Sequence, residues 1–304
     1  MPSNTIRLNL LDIDGCLSNP AFYAAAQALM SEFPDPQTKQ AAWNERFKSI
    51  LVAYNALIIK HNLSLIAHMA EGNYERRIIA SGSNRQDASK EEGNFPARSA
   101  HMLSGLATGL GYELDPILLD DAAESEKSSY IVPGIGFTFR KFLADPAISN
   151  LDFVKVDGED FDWHFLAKIY PVNKSNIIYA AVHNNANENP DSKIDTHFYD
   201  DRDDILELTY QTLAANPEML PANVTVQLNK YTGGDVVPFN APIQGTGPVN
   251  PDFLVTTRHR DEKQFIQAAT QFAAENPVAR TATTETTTTT TTLVEETESM
   301  SFVV

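Results

Sequence analysis

The chain has 304 residues, long enough for one large α/β domain with insertions, and its 42% hydrophobic and 21% charged residues support a real core and exclude global disorder. A formal net charge of -17 opposes approach to DNA, RNA or an anionic membrane, so any phosphate substrate needs local compensation by a metal, Lys or Arg. The single cysteine, Cys16, excludes an intrachain disulfide and a cysteine metal cluster.

Ile6 to Leu11 is short and mostly apolar without alternation, the pattern of a strand buried on both faces, and it ends at Asp12. The apolar stretch Leu8 to Leu17 is broken by Asn9, Asp12 and Asp14, so it reads as a strand and not as a signal peptide. No run approaches the roughly 18 apolar residues of a transmembrane helix. Asn19 and Pro20 form an N-cap and first helical residue for an Ala-rich helix through about Met30. From about Thr38 to Ala70 the composition is helical, with Trp43, Phe47, Ile50, Leu51, Tyr54, Leu57 and Ile58 on one core-facing stripe.

Arg77 to Ala80 form a second strand running into Ser81-Gly82-Ser83, and a helix spans about Ala97 to Leu110. Ile117 to Leu119 give a third strand ending in Asp120 and Asp121. Between Glu124 and His164 the signals are mixed, as in an insertion. Lys174 to about Asn185 is helical, Thr196 to Tyr199 is a strand ending in Asp200-Asp201, and a helix over 204–215 and a strand from Val224 to Leu228 follow. Strands alternating with helices, each strand ending in a polar or acidic residue, predict an α/β fold: a doubly wound parallel sheet with its site at the carboxyl edge. Past Gly233 the chain is rich in Gly and Pro, with a helix expected from Asp261 to Ala274. Ten of the twelve residues from Thr281 to Thr292 are Thr, and this tract with the closing acidic residues predicts a disordered tail over 281–304.

Asp12-Ile13-Asp14-Gly15 after a buried strand places two carboxylates at a strand end, where a tight turn helped by Gly15 can aim both into one crevice. The segment Leu10-Leu11-Asp12-Ile13-Asp14-Gly15-Cys16-Leu17 resembles motif I of the haloacid dehalogenase (HAD) superfamily. Three further elements follow in the family's order. Ser81 stands where the family places a Ser or Thr that hydrogen-bonds a phosphoryl oxygen. Lys174 matches the lysine that neutralises the nucleophile, with Lys168 as the competing candidate. Tyr199-Asp200-Asp201-Arg202-Asp203-Asp204-Ile205 resembles the Gly-Asp-x-x-Asn-Asp-Ile motif, with Asp200 and Asp204 at the acidic positions and departures at Tyr199 and Asp203.

The resemblance implies a HAD-like Rossmannoid catalytic domain over 1–232, with a helical cap or insertion at 16–76, a second insertion at 122–165 and a C-terminal extension at 233–280. It implies Mg²⁺ held by Asp12, Asp14, Asp200 and Asp204, Asp14 contributing its backbone carbonyl. Asp12 is then the nucleophile of a phosphomonoesterase working through an aspartyl-phosphate, and Asp14 the general acid and base. Ser81, Gly82 and Arg85 bind the substrate, a phosphorylated small molecule or a phosphoprotein. The departures at Tyr199 and Asp203 leave an alternative, a HAD-derived protein-binding module with little turnover.

A narrower resemblance connects Ser81-Gly82-Ser83-Asn84-Arg85-Gln86, Leu118-Leu119-Asp120-Asp121 and Phe198-Tyr199-Asp200-Asp201-Arg202 with HAD-like effectors of the Dot/Icm type IV secretion system. It implies a protein of the bacterial cytoplasm delivered into a host cell, with a host protein partner and phosphotyrosine as one substrate class. The seven histidines form no metal-ligand spacing, and His183 and His197 read as structural.

Overall fold

The computed structural model describes residues 4–31, 52–53, 55–83, 99–117, 174–259 and 261–278. Its strands are β1 (Thr5–Leu11), β2 (Arg76–Ser81), β3 (Glu113–Leu114), β4 (Lys193–Asp200), β5 (Val224–Lys230), β6 (Val237–Pro238) and β7 (Ile243–Gln244). The first five are parallel in the order β3-β2-β1-β4-β5, and β6 and β7 both pair antiparallel with β5. The helices are α1 (Pro20–Ser31), α2 (Leu63–Ala70), α3 (Ser99–Leu110), α4 (Ser175–Glu188), α5 (Asp203–Ala215), α6 (Phe253–Thr257) and α7 (Glu262–Glu275). The fold is thus α/β, a mostly parallel central sheet flanked by helices. None of the described helices is long and apolar enough to cross a membrane.

Successive residues of β1 are buried on opposite faces. Ile6, Leu8 and Leu10 join a core formed with α4, α5, α6 and α7, whereas Leu11 belongs to a second core with α1, α2 and α3. Both faces are buried although Arg7 and Asn9 alternate with Ile6, Leu8 and Leu10 along the segment. The second face also buries Arg7 and Asn9, which its apolar character did not predict.

Two boundaries differ from expectation, each for a local reason. The helical stretch 55–61 and α2 are separate because Asn62 breaks the pattern. Its amide donates to Ile58 O at 2.8 Å and Leu17 O at 3.1 Å, and its Oδ1 accepts from Asn19 and Tyr231. Residues 38–51 and Tyr54 of the expected helix lie outside the described residues. The third described strand is Glu113–Leu114; of the strand expected over Ile117 to Leu119 only Ile117 lies among the described residues, and it packs in the core shared with α4. Between them the buried Asp115 accepts hydrogen bonds from Ile117 N and from the amides of Asn184 and Asn185, and burial pushes its carboxyl up to about 6. Residues 118–173, with Asp120, Asp121, Lys168 and the expected insertion at 122–165, lie outside the described residues, as does the Thr-rich tail.

The remaining elements fall close to their expected positions. Asn19 Oδ1 accepts from Phe22 N at 3.1 Å, three residues on, as an N-cap does, and Asp261 caps α7 through Gln264 N at 3.0 Å. The segment after residue 233 is built into the same core, where Ile243, Phe253, Phe265 and Ala269 pack with residues of β1, β4 and β5. Phe265→Ala is expected to lose about 3–5 kcal/mol in urea unfolding, as a full core truncation does. A loss under about 1 kcal/mol, the level of surface substitutions, would show that α7 is peripheral.

His183 ties α4 to this segment. Asn250 N–H donates to its Nδ1 at 2.9 Å, and its Nε2 lies 3.0 Å from Met219 O. That pairing fits only the neutral ring with its proton on Nε2, and burial lowers the ring's pKa from 6.5 to about 4. The neutral ring contributes stability that is fully present above pH 6.5 and lost as the pH falls toward 4, a change of about 3 kcal/mol. The stability difference between wild type and His183→Asn in urea unfolding should shrink by that amount over this range. A pH-independent difference would contradict it.

Candidate active site

The carboxyl ends of β2, β1 and β4 lie side by side, with Leu11 in register with both Ser81 and Tyr199. Asp12 N donates to Tyr199 O at 3.0 Å, and Gly82 N donates to Leu11 O at 2.8 Å. The sheet order changes direction at β1, so the crevice between β1 and β4 is where an α/β sheet opens to a ligand. Asp12 and Asp200 stand at its two lips.

Asp12 is buried, and its Oδ1 accepts from Lys174 Nζ at 2.9 Å. Lys174 sits at the entrance to α4, buried and anchored through its own N–H to Thr209 Oγ1 of α5 at 3.0 Å. Its ammonium also lies 4.0 Å from Asp200 Oδ2. Asp200 is 0% exposed; its Oδ1 accepts from Arg202 N at 3.0 Å, while its buried Oδ2 accepts no hydrogen bond. Asp201 completes the cluster: one oxygen from each of Asp12, Asp200 and Asp201 lies within 4.8 Å of the others.

Two glycines make this convergence possible. Gly15 has φ 77°, and a Cβ there would collide with the Asp201 carboxylate that lies over it. A Cβ on Gly82 would come within 2.9–3.0 Å of Leu11 C, Asp12 N and the Phe198 ring. The turn after Asp12 is closed by Leu17 N donating to Asp12 O and by the Ser18 N–H and hydroxyl donating to Ile13 O.

Electrostatically the cluster is strained. Burial pushes the Asp12 carboxyl above its ordinary range, opposed by Lys174 and reinforced by the charges of Asp14 and Asp201. Burial, followed by the Asp12 charge, pushes Asp200 up to about 7, and Asp201 is raised by burial as well. Lys174 is the one cation within salt-bridge distance of these carboxylates among the described residues. A convergent oxygen-only donor set with an orphaned buried carboxylate oxygen fits a hard divalent cation.

The expected site residues divide as follows. Asp12, Lys174 and Asp200 come together. Asp14 is exposed on the turn, close enough for its charge to act on both Asp12 and Asp201. Ser81 is buried at the end of β2, its Oγ accepting from Ser83 N at 3.3 Å, and Gly82 touches the Asp12 backbone. Asp204 is not brought into the cluster. It is the second residue of α5, exposed and paired with Arg202 at 2.5 Å, and Asp203 pairs with Lys230 at 2.7 Å. Asp201 takes the place expected of Asp204, because it lies in the turn directly after the strand, whereas Asp204 is already on the helix. Arg85 lies outside the described residues. Thr209, which holds Lys174, was not anticipated, and its mid-helix position in the sequence gave no signal. Cys16 is buried beside the site, its thiol donating to Tyr199 O at 3.6 Å and raised by burial, so it is not primed as a nucleophile.

No protein-family model, curated protein or solved structure matches the chain.

Crowded buried carboxylates without a cation oppose folding, so Asp200→Asn is expected to stabilise the metal-free protein by about 1–3 kcal/mol. It should also abolish any rise in melting temperature on adding Mg²⁺. Thermal unfolding with EDTA and with Mg²⁺ measures both, and a destabilised variant that still responds to Mg²⁺ would refute the repulsion argument.

Proposed function

We propose that this chain is a Mg²⁺-dependent phosphomonoesterase of HAD type, acting through an aspartyl-phosphate on Asp12. The observation that carries this reading is the buried Lys174 ammonium, 2.9 Å from Asp12 Oδ1 and 4.0 Å from Asp200 Oδ2, at the switch point of the sheet. A structural ion pair needs neither a third converging carboxylate nor an orphaned oxygen. The strand order β3-β2-β1-β4-β5 supports the finer assignment of a doubly wound HAD-like topology.

In this mechanism Asp12, Asp200 and Asp201 would hold the ion. Bound there, Mg²⁺ supplies positive charge that screens the approach of the phosphoryl dianion to Asp12. Lys174, between Asp12 and Asp200, adds positive charge and favours the ionised form of Asp12. An Asp12 oxygen attacks phosphorus in line, forming one P–O bond while the ester P–O bond breaks. Asp14, on the open side of the turn, gives its proton to the departing oxygen. It then takes a proton from the water that attacks the aspartyl-phosphate, releasing inorganic phosphate and restoring Asp12. The buried end of β2, with Ser81 and the close-packed Gly82, borders the position of the phosphoryl group. The substrate class is a phosphorylated small molecule or a phosphoprotein, and the resemblance to secreted effectors supports bacterial cytoplasm with delivery into a host cell as its setting.

Release of para-nitrophenol from its phosphate ester tests the reading. Wild type is expected to turn over with Mg²⁺ and to stop with EDTA, and Asp12→Asn should lose at least about 1000-fold in kcat. Equal, negligible release from all three samples would sink it.

A further inference from the structure

Away from the acidic cluster, the second sheet face buries a polar group that the proposed chemistry does not use. Arg7, 3% exposed on β1, reaches across that face to α2. Its Nε donates to Asn9 Oδ1 at 3.3 Å, its Nη1 to Glu71 O at 3.1 Å, and its Nη2 to Tyr199 Oη at 3.3 Å. The same Nη2 lies 3.2 Å from Nδ1 of His68, and the Tyr199 hydroxyl lies 3.0 Å from that nitrogen.

A guanidinium is always charged and can only donate. His68 Nδ1 must therefore be the acceptor, which makes the ring neutral with its proton on Nε2. A second proton on Nδ1 would turn an attraction into an N–H facing an N–H, one ammonium-like charge against another, in a half-buried space. We propose that Arg7 and His68 form a proton-sensitive latch, closed while His68 is neutral, whose opening releases the hold of Arg7 on His68 and on the Glu71 carbonyl. Leu65 and Met69 stay buried on the same helix and Arg77 of β2 donates to Met69 O, Ala70 O and Gly72 O, so the opening is confined to the His68 and Glu71 side of the helix end.

Among the described residues, the charged and titratable groups facing His68 come from four places. Arg7 stands on β1, Glu71 follows α2, Tyr74 precedes β2 and lies under the Arg7 guanidinium, and Asp195, His197 and Tyr199 line β4. The rings of His68 and His197 meet edge to face at 5.5 Å, and His197 Nε2 lies 3.2 Å from Asp195 Oδ2, which also accepts from the Tyr74 hydroxyl. Asp195 is thus already engaged by His197 and Tyr74. Burial, Arg7 and then His197 lower the His68 pKa, with Glu71 opposing. The sign follows: the latch contributes stability that is fully present above pH 6.5 and lost as the pH falls through the depressed value.

The test is hydrogen exchange of the full chain between pH 7.5 and 5, as protection factors for the backbone amides of residues 67–71, alongside NMR titration of the His68 ring. Protection in wild type is expected to fall about tenfold for each pH unit by which the folded His68 pKa lies below its ordinary value. His68→Gln, whose amide oxygen can accept from Arg7 and does not titrate, should show no such fall. An identical pH response in both proteins overturns the latch. So does a His68 ring titrating at or above pH 6.5 in wild type, a result that decides the matter even if the variant does not fold.

Discussion

Everything at the carboxyl edge of the sheet turns on the ammonium of Lys174 lying between Asp12 and Asp200. Three aspartates converge there, two of them buried, and like charges at that spacing repel more strongly as water is removed. The lysine offsets one charge of three. Its position is fixed from behind by Thr209, so α5, which follows β4, sets the distance between the cation and the end of β1. The arrangement tolerates its own repulsion because a large core on both sheet faces holds the strand ends in register.

The parts of the fold legible in the sequence were those with a strong local cause. The buried strand before Asp12 showed as a short, mostly apolar segment, and α1 showed through Asn19 and Pro20. The helices and strands from Lys174 to Lys230 followed their hydrophobic periods closely. What escaped were decisions made by distant residues. Asn62 ends a helix because Leu17, Asn19 and Tyr231 compete for its side chain, and none of these is near it in sequence. Strand β3 is Glu113–Leu114, whose residues carry no apolar run to announce it.

The site was legible to a similar depth. Asp12, Lys174 and Asp200 were readable because strand ends and helix starts mark the carboxyl edge. The convergence of Asp201 where Asp204 was expected was not, since it depends on how far the chain turns after β4. Four aspartates in five residues are equivalent on paper. In three dimensions one lies over Gly15, one is buried, and two are held outward by Arg202 and Lys230. Arg7, Asn9 and Tyr199 illustrate the converse: buried polar residues whose partners lie on other elements leave no periodic trace, although together they satisfy one another.

The two short antiparallel strands on β5 have a consequence for how the molecule meets its neighbours. A parallel sheet ending in Val224–Lys230 would present an open row of backbone donors and acceptors, the template on which another chain can add. β6 and β7 occupy that row with two residues each, and Pro238 removes one donor from the new border. The sheet therefore stops growing at this side by its own construction, so self-association through edge pairing is discouraged without a charged or bulged final strand.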